Sequence, residues 1–318
     1  MSLPHRSKDD THLLKNFHVI IPISNPVRYK SRYKLLEEKV ARLKLRHPEI
    51  KVWIVELSFG DRSHKITDND PYHIQLETYE ELWHKENLIN VGISRLPPDW
   101  EYVAWVDGDI EFVRPDWALE TAHQLQHHMV VQMFQTAIDL GPTGEAFNTY
   151  RGFAWSHITR QPYPKPHNYY PYWHSGFAWA ARREAIDHLG GLIDFAVLGS
   201  ADHHMAMALI GKAQDSVPKD VNPSYTNLLM NWQDRAEKHI KRDIGFVPGT
   251  ILHHWHGKKK DRKYWDRWQI LIKNSFDPHL DLKKDWQGVY QLTDRSIQLR
   301  DDIRAYMRAR NEDSVDFE

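Results

Sequence analysis

No cysteine occurs in this chain, which excludes disulfides, zinc ribbons and thiol catalysis together. Long apolar runs are missing too. No stretch reaches the roughly eighteen residues that a membrane-spanning helix needs. Neither Gly-rich phosphate loop is present: G-x-G-x-x-G and G-x-x-x-x-G-K-[ST] both fail to match. Charge of one sign is not in excess. The net charge of −1 gives no global attraction to nucleic acid or membrane, although a local basic patch is compatible with it. Residues 1–15 are polar and lack an apolar core, so no signal peptide is expected. A cytoplasmic setting is the resulting expectation. Internal repeats and low-complexity tracts are absent as well.

What remains is a chain of 318 residues, enough for one large or two smaller domains with an ample core. Its 13 Trp and 21 His are many, and such flat, amphipathic rings suit sugars or bases as well as cores. Short apolar runs at 17–23, 52–55, 73–76 and 102–106 read as strands. Helical spacing falls between them at 33–46 and 79–94, and a further helix begins at Pro115. This alternation predicts an α/β fold with a mostly parallel sheet. Residues 129–134 and 176–181 read as later strands, 182–189 as a short helix, and 201–210 as a helix capped by Ser200. The stretch 137–172, rich in Gly, Pro and aromatics, reads as a long functional loop region. The C-terminal part reads as helical, best at 264–273 and 292–310.

Two motifs carry chemistry. Asp107-Gly108-Asp109 ends the apolar run 102–106, and His254-Trp255-His256 follows the apolar run 250–252. Each alone is compatible with a turn and ordinary surface histidines. Together they form a ligand set of hard oxygens and imidazoles suited to Mn²⁺, Mg²⁺ or Zn²⁺. In open parallel sheets ligands lie beyond the carboxyl ends of the strands, so Asn25, Glu56 and Asp107 can share one cleft. Without a Gly-rich loop, a divalent cation is the alternative way to hold a diphosphate. Gly108 leaves room for a bulky ligand near the backbone. Lys258, Lys259, Lys260 and Arg262 follow the histidines directly, as a solvated charge run or a loop that closes on the diphosphate. Lys85 and Asn90 either reach a nucleotide or lie on an exposed helix face. The cluster Tyr169-Tyr170-Pro171-Tyr172-Trp173-His174 is a packed loop or an acceptor platform.

On these motifs the chain resembles the metal-dependent glycosyltransferases of the GT-A fold, in the galactosyltransferase-like, family 2-like branch. The resemblance covers most of 17–256. Asp107-Gly108-Asp109 is similar to the D-x-D motif that holds Mn²⁺ and the sugar-nucleotide diphosphate. Pro22, Ser24 and Asn25 match the nucleotide-contacting first loop, and Glu56 matches an acid near the nucleobase or ribose. The run Gly190-Gly191-Leu192-Ile193-Asp194, then Gly199-Ser200-Ala201-Asp202, resembles a Gly-Gly turn followed by a G-x-(E/D)-D segment with the acceptor-binding acids. Ala201 stands where that branch often has Glu, which leaves Asp202 alone as the base. His254 and His256 resemble the H-x-H ligands of one galactosyltransferase subgroup.

The resemblance implies a GT-A domain over 13–257, with a lid segment and a helical extension over 258–318. It implies Mn²⁺ or Mg²⁺ on Asp107, Asp109, His254 and His256. The donor is expected to be a nucleotide-diphosphate sugar, a UDP sugar first. Its contacts are expected from Pro22, Ser24, Asn25, Glu56, Lys85, Asn90, Asp107, Gly108, Lys258 and Arg262. Asp202 would deprotonate an acceptor hydroxyl with inversion. The alternatives are a retaining transferase, a nucleotidyltransferase and a sugar-nucleotide binder without turnover. The acceptor is a glycan, a small molecule, a protein or, with less support, a modified nucleic acid. The acids Asp301 and Asp302 among the C-terminal arginines weigh against a strong phosphate track.

Overall fold

The computed structural model of the chain describes residues 10–162 and 173–316. The chain begins with β1 (Phe17–Ser24), α1 (Lys30–Arg46), β2 (Lys51–Phe59) and β3 (His73–Thr78). It continues through α2 (Lys85–Ser94), β4 (Tyr102–Val106), β5 (Ile110–Phe112) and α3 (Trp117–His127). Then come β6 (Val130–Gln132), β7 (Thr136–Leu140), β8 (Ala146–Arg151) and α4 (Phe153–Thr159). The central part ends with β9 (Ala178–Arg182), α5 (Arg183–Leu189), α6 (Ala201–Leu209), α7 (Pro223–Arg235), β10 (Ile244–Phe246) and β11 (Thr250–His253). The last elements are α8 (Trp268–Lys273), α9 (Pro278–Asp281), β12 (Leu282–Lys284), β13 (Tyr290–Leu292) and α10 (Ile297–Ala309).

Seven strands form the central sheet in the order β10-β6-β9-β4-β1-β2-β3. Six run the same way and only β9, between β4 and β6, is antiparallel. The expected mostly parallel α/β sheet is therefore present. β1 is an unbroken apolar run because both of its faces are covered. Its side chains alternate between two cores. Ile20 joins Val55, Val103 and Trp105 under α2, α5, α6 and α10. Val19 and Ile21 join Ile54, Ala104 and Val106 under α1 and α3. Pro22 is tolerated in this central strand because the ladder to β4 stops at Ile20, and proline has no N–H to give.

A second sheet, β5-β11-β7-β8, lies against the carboxyl ends of the first. Its strands β7 and β8 fall almost wholly in the stretch 137–172 read as a loop region, and β11 matches the apolar run 250–252. β8 is mostly exposed, so its residues carry no alternating apolar signal. Residues 163–172, with Tyr169 to Tyr172 of the aromatic cluster, lie outside the described residues. Several boundaries move. α2 starts at Lys85 rather than 79, because the preceding loop buries Leu82 and His84 and pairs Trp83 N with Val197 O at 2.9 Å. β2 runs three residues beyond Glu56, which is thus inside the strand. Ser200 is left-handed (φ 86°) and makes no side-chain cap. The C-terminal part is less helical than its composition suggests: a β12–β13 hairpin interrupts it. Among the described residues no helix is long and apolar enough to cross a membrane.

Candidate active site

The carboxyl ends of β1 and β4 open onto one cleft of about 1750 Å³. Pro22, Ser24, Asn25, Lys85, Asp107, Gly108, Asp109, Asp202 and Arg262 all line it. Glu56, Asn90, His254 and Lys258 do not line it. Glu56 is buried and accepts from the backbone N–H groups of Lys65, Ile66 and Thr67 (2.7–3.0 Å) and from the Thr67 hydroxyl. It anchors a loop instead of facing a nucleotide. Asn90 is engaged with Leu192 and Asp194. Asn25 reaches the cleft, but its amide closes the turn by bonding the backbone of Tyr29. Gly108 borders the cleft, yet a Cβ there would meet Leu36 of α1 at 3.5 Å, so its missing side chain faces helix packing.

The cluster suited to a metal is Asp109, His253 and His256, not the pair His254 and His256. His253 is the last residue of β11, where alternation places it inward with Ile251 and turns His254 outward. His254 Nε2 lies 3.5 Å from Glu111. His256 Nε2 lies 2.9 Å from Asp109 Oδ2, 3.2 Å from His253 Nε2 and 3.0 Å from Arg262 Nη2. One ring nitrogen thus meets a carboxylate, a second ring nitrogen and a guanidinium. The other Asp109 oxygen, Oδ1, is buried with no hydrogen-bond partner. A carboxylate and two imidazoles converging beside an orphaned oxygen fit a divalent cation. Loading one requires the Arg262 guanidinium to withdraw from His256.

Supporting groups hold these side chains. Asp139 Oδ1 accepts a hydrogen bond from His253 Nδ1–H at 2.7 Å, which leaves the Nε2 lone pair facing Asp109. Glu312, from the far end of the chain, lies 3.7 Å from His256 Nδ1. It is itself held by Arg310 at 2.6 Å and by Arg32. Burial pushes the Asp109 carboxyl up, but His256, His253 and Arg262 outweigh it and hold it well below the usual carboxylate range. Phe177 adopts φ 78° and stacks on His174 at 3.8 Å, with His253 at 4.7 Å. A left-handed aromatic residue costs roughly 1–3 kcal/mol, and here it wedges a ring against the inner histidine.

Asp107 pairs with Lys85 at 2.5 Å. Burial disfavours the Lys85 ammonium, but Asp107, Glu86 and Asp202 raise its pKa above the ordinary value. Lys39, buried in α1, donates to the Asp107 carbonyl at 2.6 Å, and burial draws it down to about 7. Asp202 lies in the first turn of α6, where Oδ1 accepts from His203 N at 2.8 Å. Burial pushes its carboxyl up, while Lys85 and His174 draw it below the ordinary range. Its Oδ2 lies over Gly176, where any Cβ would come within 2.4 Å. A side chain there would displace that oxygen. His203 lines the cleft, whereas His204 is a core residue bonded to Ser216 and Tyr225.

The segment expected as a mobile lid is a packed 3₁₀ turn, Lys259–Arg262. Lys259 is bound to Asp139 and Tyr150, and Arg262 is buried beside His256. Lys258 only approaches Asp316, at 4.0 Å. His253, Asp139 and Glu312 were not singled out in the sequence, and Gly176 and Phe177 were read only as the start of a strand-like run. Extending the alternation of 250–252 by one residue would have found His253.

No protein-family model matches the chain. No curated protein matches it either. Among solved structures it is similar to the catalytic domain of Drosophila beta-1,4-galactosyltransferase 7 in complex with xylobiose. Identity there is 16%, over 63% of this chain and 61% of that one, with a TM-score of 0.30. A mutant of the same enzyme, in complex with manganese, UDP-Gal and xylobiose, aligns at 12% identity over 90% and 98%, TM-score 0.39. Mycobacterium tuberculosis glucosyl-3-phosphoglycerate synthase, with Mn²⁺, UDP-glucose and phosphoglyceric acid, aligns at 10% identity over 93% and 94%, TM-score 0.42.

Proposed function

We propose that the chain is a metal-dependent glycosyltransferase that moves a sugar from a nucleotide-diphosphate sugar, UDP-linked in the first instance, to an acceptor hydroxyl. The observation that carries this reading is the convergence of Asp109, His253 and His256 on one point, beside the orphaned Asp109 Oδ1, in the cleft that Asp107 and Asp202 also line. A divalent cation held there supplies Lewis-acid neutralisation of a diphosphate leaving group. Asp109, His253 and His256 would be its ligands, and Asp107 would contact the donor or the cation's waters. Asp139 and Glu312 orient the two imidazoles. Lys85 and Arg262 add positive charge where the leaving diphosphate accumulates negative charge. Asp202 Oδ2 takes the proton of the acceptor hydroxyl, with Oδ1 fixed by the backbone of His203. Attack from that side displaces the diphosphate in line and inverts the anomeric centre.

The test is release of nucleoside diphosphate from a panel of UDP sugars with Mn²⁺ present. Wild type releases UDP, and Asp109→Ala does not. Release of pyrophosphate from UTP and a sugar 1-phosphate, with no UDP released from the UDP sugars, identifies a nucleotidyltransferase, and a protein that binds UDP without releasing product is a binder. A retained anomeric centre removes Asp202 from the base role.

A further inference from the structure

A second depression, of about 690 Å³, lies on the same rim of the sheet, beyond the ends of β2 and β3. Arg62 Nη1 donates to Pro26 O at 2.7 Å, and this contact forms the wall between the depression and the large cleft. Two aromatic side chains flank it. Trp286 is 92% exposed and Tyr79 is 71% exposed. Neither ring belongs to a core.

Trp286 sits at the tip of the β12–β13 hairpin. Asp285 Oδ1 accepts from Gln287 N and Val289 N, each at 2.9 Å, and Gly288 takes the left-handed φ of 86° that closes the turn. Asn87 of α2 bonds both Gly288 O and Tyr290 N, tying the hairpin to the body. The Gln287 amide accepts from Glu77 N and donates to Glu77 O, so it caps the free edge of β3. Tyr79 is fixed at its other end by Asp61, which accepts from its hydroxyl at 2.9 Å. The Tyr79 ring, held at its hydroxyl, and the braced turn that carries Trp286 reduce the freedom lost when a ligand covers them.

The floor between them is polar and planar: Asp61, Glu77, Gln287 and Gln291. Carboxylates and amides beside aromatic faces match the two surfaces of a pyranose ring, hydroxyls at its edge and C–H groups on its face. The volume is that of an ordinary small-ligand site. Acids on the floor disfavour a phosphate or another anion. A cationic peptide is disfavoured too, because Asp61 and Asp285 are already engaged and Arg62 adds a positive charge. We infer that this depression is a second carbohydrate site, one that stacks a neutral glycan on Trp286 and Tyr79 outside the proposed transfer cleft.

Calorimetric titration with neutral hexasaccharides tests this, using xylohexaose, mannohexaose, cellohexaose and maltohexaose. At least one should bind wild type, and bind Asp109→Ala with the same Kd. Trp286→Ala and Tyr79→Ala should each weaken that binding by about tenfold or more. Both rings are exposed, so these variants should melt as wild type does and keep their Mn²⁺-dependent stabilisation by UDP. The inference is overturned if none of the sugars binds, or if Trp286→Ala and Tyr79→Ala keep the wild-type Kd. It is equally overturned if binding disappears in Asp109→Ala, which would put the sugar in the large cleft, or if hexalysine binds through Trp286 and no sugar does. UDP-with-Mn²⁺ melting curves on the same samples report separately on the proposed transferase reading.

Discussion

One position in a strand of period two separates His253 from His254. The first is inside, with its Nδ1–H donated to Asp139, and the second is turned toward Glu111. Thermal shift with UDP and Mn²⁺ should register the difference. His253→Ala, His256→Ala and Asp109→Ala should each lose the Mn²⁺-dependent part of UDP stabilisation, whereas His254→Ala should keep it. Equal behaviour of His253→Ala and His254→Ala would refute the cluster as drawn. The base is tested at the same scale. Asp202→Asn should retain donor and Mn²⁺ affinity and lose transfer by about 10² to 10⁴. Gly176→Ala should reproduce this kinetic pattern, since a methyl within 2.4 Å of Oδ2 must displace that carboxylate. A Gly176→Ala enzyme with wild-type kcat would show that the Oδ2 position does not matter.

At the scale of elements, the segment after α10 behaves as a strap. Asp313 accepts from the N–H groups of Lys30 and Ser31 at the start of α1, at 2.9 and 2.8 Å. Trp255 donates to Ser314 O at 2.7 Å. Gly257 permits the approach, since a Cβ there would meet Asn311 O at 2.7 Å. Glu312 is 1% exposed, so Glu312→Ala leaves the buried Arg310 and the half-buried Arg32 without their anion. The expected cost is about 3–5 kcal/mol in urea unfolding, together with weaker Mn²⁺ binding measured directly by EPR. Unchanged Mn²⁺ affinity would confine Glu312 to a structural part.

This strap was not legible in the sequence, because 310–316 carries no periodicity and its partners lie some 280 residues away. β1 and β4 were legible, because burial on both faces makes each a plain apolar run. Asp107 and Asp109 were legible for the same reason, as polar residues that interrupt such a run. β7 and β8 were not, because an exposed edge hairpin needs no apolar alternation. Glu56 misled because an acid near an apolar run looks functional until its backbone partners are seen. Phe177 and Gly176 depend on backbone geometry that no residue pattern announces.

For the molecule as a whole, buried neutral histidines set the acid limit. Burial lowers His84 from 6.5 to about 4, and its ring meets the carbonyls of Leu82 and Tyr290. His18 also falls to about 4, through burial and then Lys51, and its Nδ1 accepts from Trp53. A folded pKa below the unfolded one means that the unfolded chain binds more protons between pH 6.5 and 4. The stability is complete above pH 6.5 and drains away as pH falls toward 4, by about 3 kcal/mol for a group like His84. The melting temperature should therefore be level above neutrality and fall through that window, and His84→Gln should make the fall shallower. A melting temperature flat down to pH 4 would contradict this.

The contact between Arg32 and Glu312 also has a meaning in time. Its partners are 280 residues apart. At a synthesis rate of about 5–20 residues per second, Glu312 reaches the ribosome's exit roughly 14–56 s after Arg32. The central sheet, the core under α1 and α3, and Asp109 can assemble during that wait, while the His256 side of the cluster still lacks its brace. A ribosome-stalled chain ending before Arg310 should accordingly be folded by protease resistance yet slow to take up Mn²⁺. Competence for metal would then arrive well after the central sheet has formed.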